Sequence, residues 1–121
     1  MIVDPASGRR AVEYDVCIVG SGPAGLTVAN ELARHGGGGR ICVVESGRRE
    51  TSPFADALRA VESTGIAVKE YSRERVLGGA SSTWAGLSSL LDEIDFEARP
   101  WVPFSGWPLT RSDLLPYYEQ A

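Results

Sequence analysis

The spacing Gly20-x-Gly22-x-x-Gly25 constrains this chain more than any other feature, because of what flanks it. Before it, Tyr14 to Val19 is a short β-branched run without alternation, the pattern of a strand buried on both faces. After it, Pro23 to His35 is amphipathic, with Gly25, Val28, Ala29, Leu32 and Ala33 on one side and Thr27, Asn30, Glu31 and Arg34 on the other. Proline suits the first helical turn, where its missing N–H has no intrahelical partner. Gly36 to Gly39 then stops the helix, the first of them able to take the left-handed cap conformation. A second apolar run, Arg40 to Glu45, completes a strand–helix–strand unit over 14–47. Such a unit has parallel strands and a right-handed crossover. In this context each glycine has a physical task. Gly20 allows the tight turn, Gly22 lets a pyrophosphate approach main chain, and Gly25 lets helix and strand pack closely. The anion then lies at the helix N-terminus, where unpaired N–H groups and the positive end of the dipole favour it. Glu45, 20 residues beyond Gly25, stands where a carboxylate accepts from an adenosine ribose. It disfavours a 2′-phosphate, whereas Arg48 and Arg49 just behind it argue the other way. The expected fold class is therefore α/β, a Rossmann-like FAD/NAD(P)-binding fold.

The rest of the chain gives weaker signals. Residues 1–13 read as a leader and 14–121 as the N-terminal part of the binding domain. Phe54 to Glu62 suggests a short helix and Ile66 to Tyr71 a strand. Leu87 to Ala98 is ambiguous, and Pro100 to Pro108 is an irregular Trp/Pro-rich loop. Thr110 or Ser112 can cap a last helix with Asp113 in its first turn, and Pro116 is expected to interrupt or restart it.

Composition excludes several function classes. A net charge of −4 with 12 scattered basic residues provides no nucleic-acid footprint. No apolar stretch approaches the length of about 20 residues that spans a bilayer. The N-terminus lacks an apolar signal region, and Arg9-Arg10 precedes a strand rather than an export signal. Cys17 and Cys42 read as small buried hydrophobes, with neither CxxC spacing nor a metal-ligand cluster. A cytoplasmic setting fits, and no metal is expected.

The unit over 14–47 cannot by itself separate FAD from NAD. The segment from Arg73 to Gly86 adds information. Gly78-Gly79 offers bare N–H groups to a phosphate or a flavin edge, Ser81, Ser82 and Thr83 add hydroxyls, and Trp84 adds an aromatic wall. A surface turn with a buried tryptophan fits these residues equally well. The motifs YDVCIVGSGPAG, RVLGGASS and SGWPLTRSDLLPYYEQA together resemble the glucose–methanol–choline (GMC) oxidoreductase family, over about Tyr14 to Ala121. Trp84, Gly106-Trp107-Pro108 and Tyr117-Tyr118 resemble its sugar-oxidising branch, which contains pyranose oxidase and fructose dehydrogenase. The resemblance implies an FAD enzyme that takes hydride from CH–OH groups of sugars or other alcohols. It implies that Gly20, Ser21, Gly22, Pro23, Ala24 and Gly25 hold the FAD pyrophosphate, and that Glu45, with Ser46 beside it, binds the ribose. Arg75, Gly78, Gly79, Ser81 and Ser82 would line the stretch toward the flavin, with Thr83, Trp84, Ala85 and Gly86 beside the isoalloxazine. Some relatives carry a covalently linked histidine at the Thr83 position. Threonine cannot form that bond, so the FAD is expected to be non-covalent.

By the same resemblance, the proton-accepting histidine lies near the far C-terminus. His35, the one histidine present, reads instead as a helix-end residue favoured by the dipole. No catalytic residue is named, and the chain is expected to be the N-terminal portion of a larger two-domain flavoenzyme with its substrate domain absent. Val16 to Val19 and Ile41 to Val44 need cover on both faces, so the isolated chain is expected to bind FAD weakly or to aggregate. A complementing chain carrying the histidine would restore turnover. The alternatives are a catalytically silent nucleotide-binding remnant or partner subunit, and an NAD-dependent dehydrogenase, which would leave the GGASSTW segment without a role.

Overall fold

The computed structural model describes residues 12–37 and 39–120. The chain divides into two compact units, Met1–Ala85 and Gly86–Ala121.

In the first unit, β1 (Val16–Val19) and β2 (Ile41–Val44) form a parallel pair in the register Val16↔Ile41, Cys17↔Cys42, Ile18↔Val43, Val19↔Val44. Main-chain hydrogen bonds carry the pairing one step further at each end, from Asp15 N to Arg40 O (2.9 Å) and from Gly20 N to Val44 O (2.8 Å). The crossover is α1 (Pro23–Arg34), with Pro23 in its first turn as expected. His35 closes the helix, and its Nε2 lies 3.2 Å from Glu31 Oε2. Gly36 then takes the left-handed conformation at φ +67°, where a side chain would be strained.

Burial departs from the sequence expectation. On α1, Gly25, Ala29 and Leu32 are half-buried, but Val28 is 50% exposed and Ala33 is exposed. In β1, half-buried Val16 and Ile18 alternate with exposed Cys17 and Val19, the latter 85% exposed. Cys17 is thus not buried, and Cys42, its register partner, is only half-buried. The physical reason is single-sided cover. Helix α1 packs on the face carrying Ile18, and among the described residues of this unit the opposite face carries Cys17, Val19 and Val44 outward. Both cysteines are free thiols.

Beyond β2 the chain makes a close pass. Arg48 forms a parallel bridge with Val76, and Leu77 N donates to Arg48 O at 2.9 Å. Gly47 permits this approach, since a Cβ there would run into the Arg75 carbonyl and stand 2.6 Å from Val76 N. Val76 and Ala55 are the buried apolar residues of the described chain. Ala55 belongs to α2 (Pro53–Ala57), which is shorter than the 54–62 stretch expected and is capped by Ser52 Oγ, an acceptor for Ala55 N at 3.3 Å. Arg59 joins these segments by pairing with Glu74 (2.9 Å) and Asp56 (3.1 Å). The expected strand at Ile66–Tyr71 is absent. Ile66 is 89% exposed, and Glu70–Arg73 is a 3-10 helix. Residue 76, not 66–71, takes the place beside the extension of β2.

In the second unit, α3 (Glu93–Phe96) begins with a reciprocal capping box between Asp92 and Asp95. The 100–108 stretch is a loop, as expected. Ser105 Oγ holds its neck by accepting from Arg99 N (2.7 Å) and donating to Arg99 O (3.1 Å). Phe96 and Trp107 meet edge-to-face with ring centroids 6.2 Å apart. Helix α4 (Arg111–Tyr118) is capped by Thr110 in a capping box with Asp113. Pro116 lies inside α4 and does not interrupt it. Its missing N–H frees the Ser112 carbonyl on an exposed helix face, where water satisfies it at low cost.

Candidate dinucleotide-binding cleft

The cleft opens at the carboxyl ends of the two parallel strands, where ligands of such sheets bind. Its volume is about 470 Å³, and its walls include the fingerprint glycines Gly20 and Gly22, the carboxylate of Glu45, and Arg73, Glu74 and Arg75. Gly20 turns the chain out of β1 at φ +96°. A Cβ at Gly20 or Gly22 would meet no protein atom within 4 Å, so the floor of the cleft is open main chain. The N-terminus of α1 has no side-chain cap and no acidic residue in its first turn. Its leading N–H groups are therefore available to an external anion. Gly25 points inward instead: a Cβ there would collide with the Gly20 carbonyl oxygen and lie 3.4 Å from Ile18 Cγ2.

Glu45 sits on the rim with both oxygens engaged. Oε2 accepts from Ser21 N (2.8 Å) and Ser21 Oγ (2.7 Å). Oε1 accepts from Gly47 N (2.9 Å) and Ser46 Oγ (3.2 Å). Partial burial raises the carboxyl pKa, but the hydrogen bonds from Ser21, Gly47 and Ser46 outweigh it and lower the value from 4.5 to about 2. A depressed folded-state pKa stabilises the fold above the unfolded value, and that stability is lost as pH falls through the folded value. Acid titration monitored by circular dichroism is therefore expected to show stability falling between pH 4.5 and about 2. Glu45→Gln should flatten that limb, by about 1 kcal/mol once solvent screening is allowed for.

Of the residues expected at the site, Gly20, Gly22, Glu45, Ser46, Arg75 and Gly79 line the cleft. Gly79 packs against Gly22, a Cβ on it lying 3.2 Å from Gly22 Cα. Gly78, at φ +96°, sends its N–H to Ser21 O (3.1 Å) and Ser21 Oγ (3.2 Å). Arg75 stands beside Ser46, the chain neighbour of Glu45. Its Nη1 donates to Ser46 Oγ (2.9 Å) and its Nε to Leu58 O (3.0 Å). The others lie off the cleft walls. Ser21 is 1% exposed, with its donors directed to Glu45. Pro23 and Ala24 are exposed at the start of α1. Ser81, Ser82 and Thr83 turn their hydroxyls back onto Gly78 O (2.7 Å), Gly79 O (2.8 Å) and Ala80 O (2.9 Å), within and just after the 3-10 helix Gly79–Ser82. Trp84 is exposed rather than buried, as is Ala85, and Gly86 belongs to the second unit.

Val19, Val44, Arg73 and Glu74 line the cleft without having been expected there. The valines could have been read from their place at the strand ends. Arg73 and Glu74 could have been read only from the charged triplet before Val76. Glu74 is paired with Arg59, so Arg73 and Arg75 add cationic character to the wall. Among the described residues no group of His, Cys, Asp and Glu could hold a metal ion, and no helix is long and apolar enough to cross a membrane.

Residues 13–62, which span the strand–helix–strand unit and α2, match the family described as the FAD binding domain. This is a different flavoprotein family from the glucose–methanol–choline family suggested by the motifs. Among curated proteins, 6'''-hydroxyparomomycin C oxidase of Streptomyces lividus is 28% identical over 135 residues, covering 97% of this chain. The chain spans 23% of that relative's length. No solved structure matches. The residues present fit the cofactor that the match implies: an open glycine floor at an uncapped helix N-terminus suits a diphosphate, and an ionised carboxylate beside it suits a ribose. The dinucleotide bound by this chain is FAD, held in a Rossmann-like α/β unit.

Proposed function

We propose that this chain is the cofactor-holding part of an FAD-dependent oxidoreductase of the glucose–methanol–choline type, which takes hydride from a CH–OH group of a sugar or other alcohol. The observation that carries the proposal is the open main chain of Gly20 and Gly22 facing a cleft rimmed by the ionised Glu45. The similar oxidase from Streptomyces lividus, named for a hydroxy compound, favours an alcohol as the substrate. The flavin, when bound, supplies the hydride acceptor. The chain's own residues bind and orient it. Main chain of the Gly20–Gly25 turn takes the diphosphate, and Glu45 takes the ribose hydroxyls in exchange for Ser46 Oγ, its longest contact at 3.2 Å. Thr83 leaves the flavin non-covalently held. His35 stands at the far end of α1, about 18 Å along the axis from the cleft, so it is not the base that accepts the alcohol proton.

Anaerobic mixing of the full-length, FAD-loaded protein with primary and secondary alcohols, including sugars, tests the activity. Bleaching of the flavin visible band by at least one of them is the expected result. Bleaching by NADH or NADPH with no response to any alcohol would overturn it.

A further inference from the structure

Ser21 is the buried polar residue of the described chain, at 1% exposure, and every polar group it carries is bonded across a long sequence distance. Its N–H and hydroxyl both donate to Glu45 Oε2, at 2.8 and 2.7 Å. Its carbonyl and the same hydroxyl oxygen both accept the Gly78 N–H, at 3.1 and 3.2 Å. One small side chain therefore joins the fingerprint turn, the ribose carboxylate and the Gly78-Gly79 turn. The diphosphate role expected of Ser21 does not suit this arrangement, because neither donor is directed into the cleft.

We infer that Ser21 is a positioning residue, whose hydroxyl fixes Glu45 in an ionised, cleft-facing pose while tethering the Gly78-Gly79 turn against the cofactor site. The inference rests on the proposed placement of the FAD ribose at Glu45. Serine meets both demands at one position because a hydroxyl donates and accepts at once. Without it, Glu45 Oε2 keeps one of its two donors and Gly78 N one of its two acceptors. The remaining groups near Glu45 are Ser46 Oγ and Gly47 N on its own segment, and Arg73, Glu74 and Arg75 across the cleft. The turn at Gly20–Gly22 and the first turn of α1 contribute no titratable side chain. Of the two side-chain donors to Glu45, the Ser21 hydroxyl is the closer, at 2.7 Å against 3.2 Å for Ser46 Oγ, so its removal raises the carboxylate's proton affinity more than loss of the other.

The test measures FAD binding to the full-length protein between about pH 7 and about pH 1.5, and reads the break where log Kd begins to rise on acidification, which is expected at about 2 in the wild type. Ser21→Ala is expected to move that break upward by about one pH unit, a tenfold gain in proton affinity. Ser21→Thr, which keeps the hydroxyl, is expected to restore it. In a Glu45→Gln background the Ser21→Ala shift should vanish, because the titrating group is gone. Ser21→Gly removes the same hydroxyl with less volume, and is read in the same way should the alanine or threonine variant fail to fold. A break unchanged by loss of the hydroxyl, or a shift that persists without Glu45, overturns the positioning role. A wild-type protein that takes up no FAD at any pH overturns the cofactor placement instead, so the two failures are distinguishable.

Discussion

The Gly22→Ala protein is expected to fold normally and to bind FAD about tenfold to a hundredfold more weakly than wild type, a loss of about 1.4 to 3 kcal/mol. Gly22 has φ −69° and ψ 177°, a conformation that alanine adopts without strain. The added Cβ would meet no protein atom within 4 Å. It would instead occupy the open floor of the cleft, where the proposed diphosphate site lies against main chain. The substitution therefore separates ligand from fold: thermal unfolding of the apo protein should stay within a degree or two of wild type while the FAD titration weakens. Unchanged affinity would mean that the diphosphate does not lie over Gly22.

Gly25→Ala is expected to do the opposite, failing through the fold. Its Cβ would collide with the Gly20 carbonyl oxygen, with the Gly20 carbonyl carbon at 3.2 Å and Ile18 Cγ2 at 3.4 Å. The main obstacle is backbone, which cannot rotate away as a side-chain end can. Helix α1 must lift from β1, taking the fingerprint turn and the Glu45 contacts with it. Overpacking of this kind costs about 3 kcal/mol, or about 10 °C in a domain of ordinary size. Scanning calorimetry and flavin retention should fall together in this variant. Wild-type values for both would contradict the close helix–strand contact.

The strand–helix–strand unit was legible in the sequence because its signals are local. Pro23 starts α1, Gly36 stops it, and the glycine spacing needs a strand before and a helix after. The start of α4 was legible for the same reason, with Thr110 and Ser112 both open as its cap and Asp113 in its first turn, and Thr110 takes the cap. What was not legible depends on tertiary cover or on where the chain returns. The apolar runs of β1 and β2 imply burial on both faces, yet Cys17 and Val19 are exposed because α1 covers one face only. The Ile66–Tyr71 pattern suits a strand, but the place beside β2 is taken by Val76 through the close pass at Gly47. Arg73 and Glu74 join the cleft through that same pass. Serine hydroxyls after Gly78-Gly79 suggest ligand contact in sequence, whereas Ser81 and Ser82 cap their own turn. The strongest sequence motif, Gly20-x-Gly22-x-x-Gly25, is shared by many flavoproteins, which is why it points to a dinucleotide rather than to one family.

The geometry of the cleft suits the adenosine diphosphate portion of FAD. The direct measurement is a fluorescence titration of the full-length apo protein with FAD and with FMN, followed by displacement with ADP. FAD should bind at least about a hundredfold more tightly than FMN, and ADP should displace it, because FMN lacks the adenosine expected at Glu45 and one of the two phosphates expected over the glycine floor. FMN binding as tightly as FAD, with ADP without effect, would contradict the claim.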